Sequence, residues 1–187
     1  MAQPAARRTD ALRNRERILE AARTAFADAG AEVSMAEIAR RSGVGSATLY
    51  RNFATRRDVL EALYVDEVDT VCAASSTVEG DTAADRFVTW LHRFFDYAAS
   101  KRYVATELLA HVDRSDTVFT ASRDRVMAAG APLLSAAQDA GEISSAIDLA
   151  QILDLVVAVA KIPGDPAYLE PILDTVLAGL RQDAAGG

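Results

Sequence analysis

Apolar residues along this chain recur three and four apart rather than at every second position, which predicts helix nearly throughout. The first helix runs from about Thr9 to Ala29, with Leu12, Leu19, Ala22 and Phe26 on one stripe and Gly30 as its cap. Ser34, followed three residues later by Glu37, is a capping-box start for a helix that turns Met35, Ile38 and Ala39 inward and stops near Ser42-Gly43. After the tight segment Gly43-Val44-Gly45, Ser46 caps a short helix through Phe53. Thr55 and Asp58 open a longer helix toward Val78, and Gly80-Asp81 resets the chain. Phe87, Trp90, Leu91 and Phe94 then share one packed stripe.

Further helices are expected near Arg102 to His111, Ser115 to Ala140 and Ser145 to Lys161, with a last one reaching Leu180. Pro132 should kink or divide the second of these, and Pro163-Gly164-Asp165-Pro166 separates the final two. The expectation is an all-α chain of about nine helices. A helix-turn-helix module over residues 7–54 would carry a larger helical body over 55–183.

Composition changes this picture in two respects. A chain of 187 residues can bury roughly 70% of its unfolded surface, so it needs no disulfide or metal to hold it. Its single cysteine, Cys72, cannot pair internally. With no signal-like h-region and no apolar run approaching a membrane span, the expected compartment is the cytoplasm. The net charge of −7 hides an asymmetry: residues 1–64 hold eleven arginines and eight acids, whereas the rest holds nine basic and nineteen acidic groups. A cationic module on an acidic body can gain DNA affinity by releasing counterions at one end only.

Candidate chemistry concentrates between Ser34 and Phe53. Two short helices joined by Ser42-Gly43-Val44-Gly45 can cross steeply over Ile38, Ala39, Val44 and Leu49, freeing the outer face of the second. That face carries Ser46, Ala47, Thr48, Tyr50, Arg51 and Asn52: small at its start, where base edges are approached, and with long donors at its end. Phe53, Leu49 and Ile38 read as core. Arg40, Arg41, Arg56 and Arg57 flank the pair, and Arg7, Arg8 and Arg13 form a possible arm.

The run Val44-Gly45-Ser46-Ala47-Thr48-Leu49-Tyr50-Arg51-Asn52-Phe53-Ala54-Thr55-Arg56 closely resembles the DNA-binding signature of the TetR family of transcriptional regulators. Ala21-Ala22, Phe26, Gly30, Ser34, Ile38-Ala39 and Gly43-Val44 fall where that family places its earlier anchors, so the resemblance covers about Ile18 to Leu63. In layout the remainder looks most like actinobacterial members. The resemblance implies that Ser34, Tyr50 and Asn52 meet phosphates and that Ser46, Ala47, Thr48 and Arg51 face base edges. It also implies that Arg56, in place of a common lysine, approaches the DNA backbone. Ala54 stands where a proline is frequent, which loosens the entry into the following helix.

It further implies a homodimer on a palindromic operator, released by a small hydrophobic or aromatic effector, with no cofactor. The apolar faces Leu149, Ile152, Leu153, Val156, Val157, Ala160 and Leu169, Ile172, Leu173, Val176, Leu177, Leu180 are the expected four-helix interface. The effector cavity would be lined by Val68, Cys72, Trp90, Leu91, Phe94, His111, Phe119, Arg123, Met127 and Val156, although such a stripe is also what a plain core looks like. An enzyme fits poorly: His92, His111 and Cys72 make no recognisable metal set, and no phosphate loop or nucleophile elbow is present. An activator, or a regulator without an effector, would carry the same DNA contacts.

Overall fold

A computed structural model describes residues 4–29, 33–100, 104, 108 and 116–182, with side chains described over 9–26, 28, 33–99, 104, 108 and 116–182. Eight helices can be bounded among them: α1 (Pro4–Ala29), α2 (Met35–Ser42), α3 (Ser46–Asn52), α4 (Arg56–Ala74), α5 (Ala83–Ser100), α6 (Thr117–Asp139), α7 (Leu149–Ala160) and α8 (Pro166–Ala178). The helix expected over 102–111 lies outside the described residues except at Val104 and Leu108, which are helical and buried. The chain groups into two compact units, one from residues 1–66 with 103–114 and the other from 67–102 with 115–187. No helix among the described residues is long and apolar enough to cross a membrane.

In the first unit α1 packs on α2 and α3. Its buried stripe is Ile18, Leu19, Ala22, Ala25 and Phe26, one face of a 3.6-residue period. Leu12, expected on that stripe, is 55% exposed. The cause is length: at 1.5 Å per residue α1 spans about 39 Å, whereas α2 and α3 span about 12 and 10 Å and cover only part of it. α1 also begins at Pro4, earlier than Thr9.

Local capping sets most boundaries. The Thr55 amide donates to Asp58 Oδ2 at 2.9 Å and the Asp58 amide to Thr55 Oγ1 at 3.2 Å, the expected reciprocal box. A second box, Thr82 with Asp85 at 3.1 Å in both directions, starts α5. α4 stops at Ala74 instead of Val78, because the Ser75 and Thr77 hydroxyls compete for the carbonyls of Cys72 and Ala74 while the backbone tightens to i→i−3 bonds. α7 starts at Leu149, not Ser145: Asp148 and Gln151 form a full box, and Gln138 Nε2 holds the preceding loop through the Ser144 and Ile147 carbonyls.

The second unit is a layered pack in which α5 meets α6 and α8's neighbour α7. Trp90 is fully buried, stacked between Phe87 and Phe94 at 6.1 Å on each side, and its indole Nε1–H donates to the Val71 carbonyl at 3.1 Å. Gly130 of α6 lies against the indole; a Cβ there would come within 2.4 Å of Cη2. α6 runs through Pro132 as one helix, against the expected division. After α8 the chain closes on the α6–α7 turn: the Ser144 amide donates to the Leu180 carbonyl at 3.2 Å and the Gln182 amide to the Glu142 carbonyl at 3.0 Å. Arg181 then pairs with Asp85 at 2.7 Å, and Glu142 Oε2 accepts the Ala84 amide at 2.6 Å, so this clasp also caps α5.

Candidate nucleic-acid interface

The turn between α2 and α3 begins with backbone geometry. Gly43 sits at φ +64°, where a side chain costs energy, and its N–H returns to the Arg40 carbonyl. Arg17 of α1 covers this turn, donating from Nη2 to the Ser42 carbonyl at 2.8 Å. The cap of α3 is Gly45, with no side-chain hydrogen bond, so Ser46 is the first helical residue rather than the cap. Leu49 and Phe53 anchor α3 in the core, and Arg15 lays its guanidinium 4.7 Å from the Phe53 ring centre.

The opposite face of α3 is open. Ser46, Ala47, Tyr50 and Arg51 are exposed, Thr48 and Asn52 half-buried. Tyr50 is 54% exposed. Arg51 Nη2 rests on Thr48 Oγ1 at 2.9 Å, and Asn52 Nδ2 donates to the Thr48 carbonyl at 2.8 Å, so both long polar side chains lie along the helix. Ser34, exposed at the head of α2, accepts the Glu37 amide at 3.2 Å. Only half of the expected capping box forms there, because the Glu37 carboxylate is taken by Arg40 and Arg41, each at 2.7 Å. Those hydrogen bonds, Arg40's first, pull the Glu37 carboxyl down to about 2.

The cationic count of this unit therefore overstates the charge offered outward. Arg40 and Arg41 share Glu37, and Arg41 also meets Asp28 at 2.7 Å. Arg23 binds Glu20 and Asp66, and Arg57 binds Glu61. Arg56 is half-buried and donates from Nε to the Val33 carbonyl at 3.2 Å. Arg13 is exposed; the side chains of Arg7 and Arg8 lie outside the described residues. The inward duties of Arg15, Arg17 and Arg56 escape a sequence reading because their partners lie tens of residues away and charge sums carry no partner information.

In the second unit the residues expected to line an effector cavity separate into groups. Val68, Trp90, Leu91, Phe94 and Val156 are buried core; Cys72, Phe119 and Met127 are half-buried. Burial pushes the Cys72 thiol up. Arg123 is exposed, 3.7 Å from Asp154, and does not join the buried group. His111 lies outside the described residues. Among the described residues no group of three or more His, Cys, Asp or Glu could hold a metal ion.

Of the twelve residues expected at a dimer interface, Leu149, Ile152, Leu153, Val156, Ala160, Leu169, Leu173, Leu177 and Leu180 are buried in the chain's own core, and Val157 is half-buried. Ile172 and Val176 are half-buried. One sector of α8 away from that core, Tyr168, Pro171, Ile172, Thr175 and Val176, carries no charge, while the exposed Glu170 and Asp174 lie beside it. On α7 the exposed positions include Leu155 and Ala158.

Residues 18–63 match the model of bacterial regulatory proteins of the tetR family, and residues 82–182 match that of the SbtR-like transcriptional regulator C-terminal domain. The crystal structure of TetR transcriptional regulator SCO0520 from Streptomyces coelicolor is 37% identical, with a TM-score of 0.76 over 91% of this chain and 99% of that one. A TetR transcription regulatory protein from Mycobacterium vanbaalenii is 30% identical, with a TM-score of 0.73 over 94% and 99% of the two chains. The HTH-type transcriptional regulator SAB2452 of Staphylococcus aureus is 34% identical over 79 residues, 42% of this chain and 43% of that protein.

Proposed function

The chain belongs to the TetR family of transcriptional regulators, DNA-binding proteins rather than enzymes, and from that premise we propose that it is a repressor acting as a homodimer on a palindromic operator. The observation that carries this reading is the open face of α3. Ser46, Ala47, Thr48 and Arg51 face base edges, and Ser34, Tyr50 and Asn52 meet phosphates on either side. Thr48 Oγ1 holds Arg51 Nη2, so part of the arginine's freedom is spent before DNA arrives.

Two copies are needed because one such helix reads only a few base pairs. The uncharged outward sector of α8, with Tyr168 58% exposed and Leu155 of α7 42% exposed, is the surface that pairs. A small hydrophobic or aromatic effector bound in the second unit would release the DNA by favouring a different α4 geometry. A second reading, a DNA-binding regulator without an effector, is favoured by one specific observation. The buried aromatic stripe is filled by its own neighbours, and the Trp90 N–H is already bonded to Val71.

The deciding experiment starts by selecting duplexes from a randomised pool with the full chain, then footprinting the consensus. An inverted repeat protected by a two-chain complex supports the proposal; Tyr50→Ala and Arg51→Ala should each weaken binding about tenfold or more. A mass near one chain by light scattering, or no enriched sequence, would sink it. Loss of the footprint with an apolar compound then separates the two readings.

A further inference from the structure

We propose that Arg56 is a positioning residue that fixes the amino end of α2 to the first turn of α4, instead of ending on a phosphate itself. The inference rests on the DNA-binding reading of α2 and α3, but its geometry lies wholly within the first unit. Arg56 is the first residue of α4, and its Nε donates to the Val33 carbonyl at 3.2 Å. Its guanidinium also lies 5.2 Å from the centre of the Phe26 ring, near the end of α1. One planar group thus joins α1, the residue in front of α2, and α4.

What it holds is the start of α2. Val33 is 4% exposed and immediately precedes Ser34. Ser34 caps the Glu37 amide through its hydroxyl and receives the Ile38 amide at its carbonyl, at 3.2 and 3.1 Å. Any shift of Val33 therefore moves the capping hydroxyl and the free amides of the first turn of α2, the groups suited to a phosphate. The Arg56 backbone is itself steadied by the Thr55–Asp58 box around it. A guanidinium is needed for this: a directional Nε–H and a flat face act at once, and a lysine ammonium supplies neither in that arrangement.

The test compares Arg56→Lys with Arg56→Gln in the full chain. The probe is a duplex selected by the wild-type protein, titrated by fluorescence anisotropy between about 50 and 200 mM KCl. Hydrogen exchange of the free protein is followed at the same time. As a positioning residue, Arg56 gives the same loss in both variants, about tenfold in affinity, with the slope of log Kd against log salt unchanged. The Glu37 and Ile38 amides exchange faster, while those of Ile18 to Phe26 stay protected. If Arg56→Lys keeps wild-type affinity, or if Arg56→Gln lowers the slope by about 0.9, the guanidinium is a phosphate contact and the proposal fails. Unchanged exchange at Glu37 and Ile38 overturns it too. If the wild-type chain binds no duplex, the DNA reading falls, and the exchange result alone decides the clamp. Should Arg56→Gln fail to fold, Arg56→Lys carries both readouts.

Discussion

Replacing Gly130 with alanine sets a helix gain against a packing loss, and the geometry says which wins. In mid-helix the change is worth about 1 kcal/mol in favour of folding. The new methyl, however, would stand 2.4 and 2.6 Å from Cη2 and Cζ3 of Trp90 and 3.2 Å from Leu149 Cδ2. The indole has little room to retreat, since Phe87 and Phe94 stack on it and its N–H is tied to Val71. Overpacking costs about 1–3 kcal/mol, and a buried indole donor pulled off its carbonyl costs about 1–3 more. The net is a loss of about 1–5 kcal/mol. For a chain of this size that lowers Tm by roughly 2–20 °C. Trp90 is the only tryptophan, so thermal unfolding read by its emission reports on the same contact that is perturbed. A Gly130→Ala protein that melts at or above the wild-type temperature with unchanged emission would refute the reasoning.

Two further outcomes follow from the first unit. Glu37→Gln removes the negative charge beside Arg40 and leaves Arg41 only Asp28 as a charge partner, so binding to non-specific duplex should tighten and its salt slope steepen by about 0.9; an unchanged slope would mean those arginines do not face DNA. Because the Glu37 carboxyl is depressed from 4.5 to about 2, its contribution to holding α2 is full above pH 4.5 and is lost as pH falls toward 2. Acid-dependent amide exchange in α2 checks this, and Glu37→Gln should remove the dependence.

How much of this was legible in the sequence depended on range. The turn helices were readable because their determinants are local: Ser34 with Glu37, the glycine at φ +64°, and the inward period of Ile38, Ala39 and Leu49. Pro132 does not divide α6, since one lost hydrogen bond and a local clash are tolerable inside a helix packed along α5. The Thr82–Asp85 box follows directly on Gly80-Asp81, whose turn character masks it in the sequence. On α7 and α8, hydrophobic width was visible but not the direction of each sector; the widest apolar arc turned out to face the chain's own core. The arginines were the least legible feature. Arg15, Arg17 and Arg56 differ from Arg13 only in what the fold brings beside them.

The clasp at the end of α8 has a consequence for the order in which the chain assembles. Arg181 and Asp85 are 96 residues apart, and closing a loop of that length from an open chain costs about 4 kcal/mol in entropy. Two backbone hydrogen bonds and an exposed ion pair do not outweigh that by themselves. The seam becomes favourable only after α5 to α8 have packed and brought its two sides together. It is thus a closing step and not a nucleus, formed late and released early, and a pull on the carboxyl end would load the Ser144–Leu180 and Glu142–Gln182 bonds before it reached any buried helix.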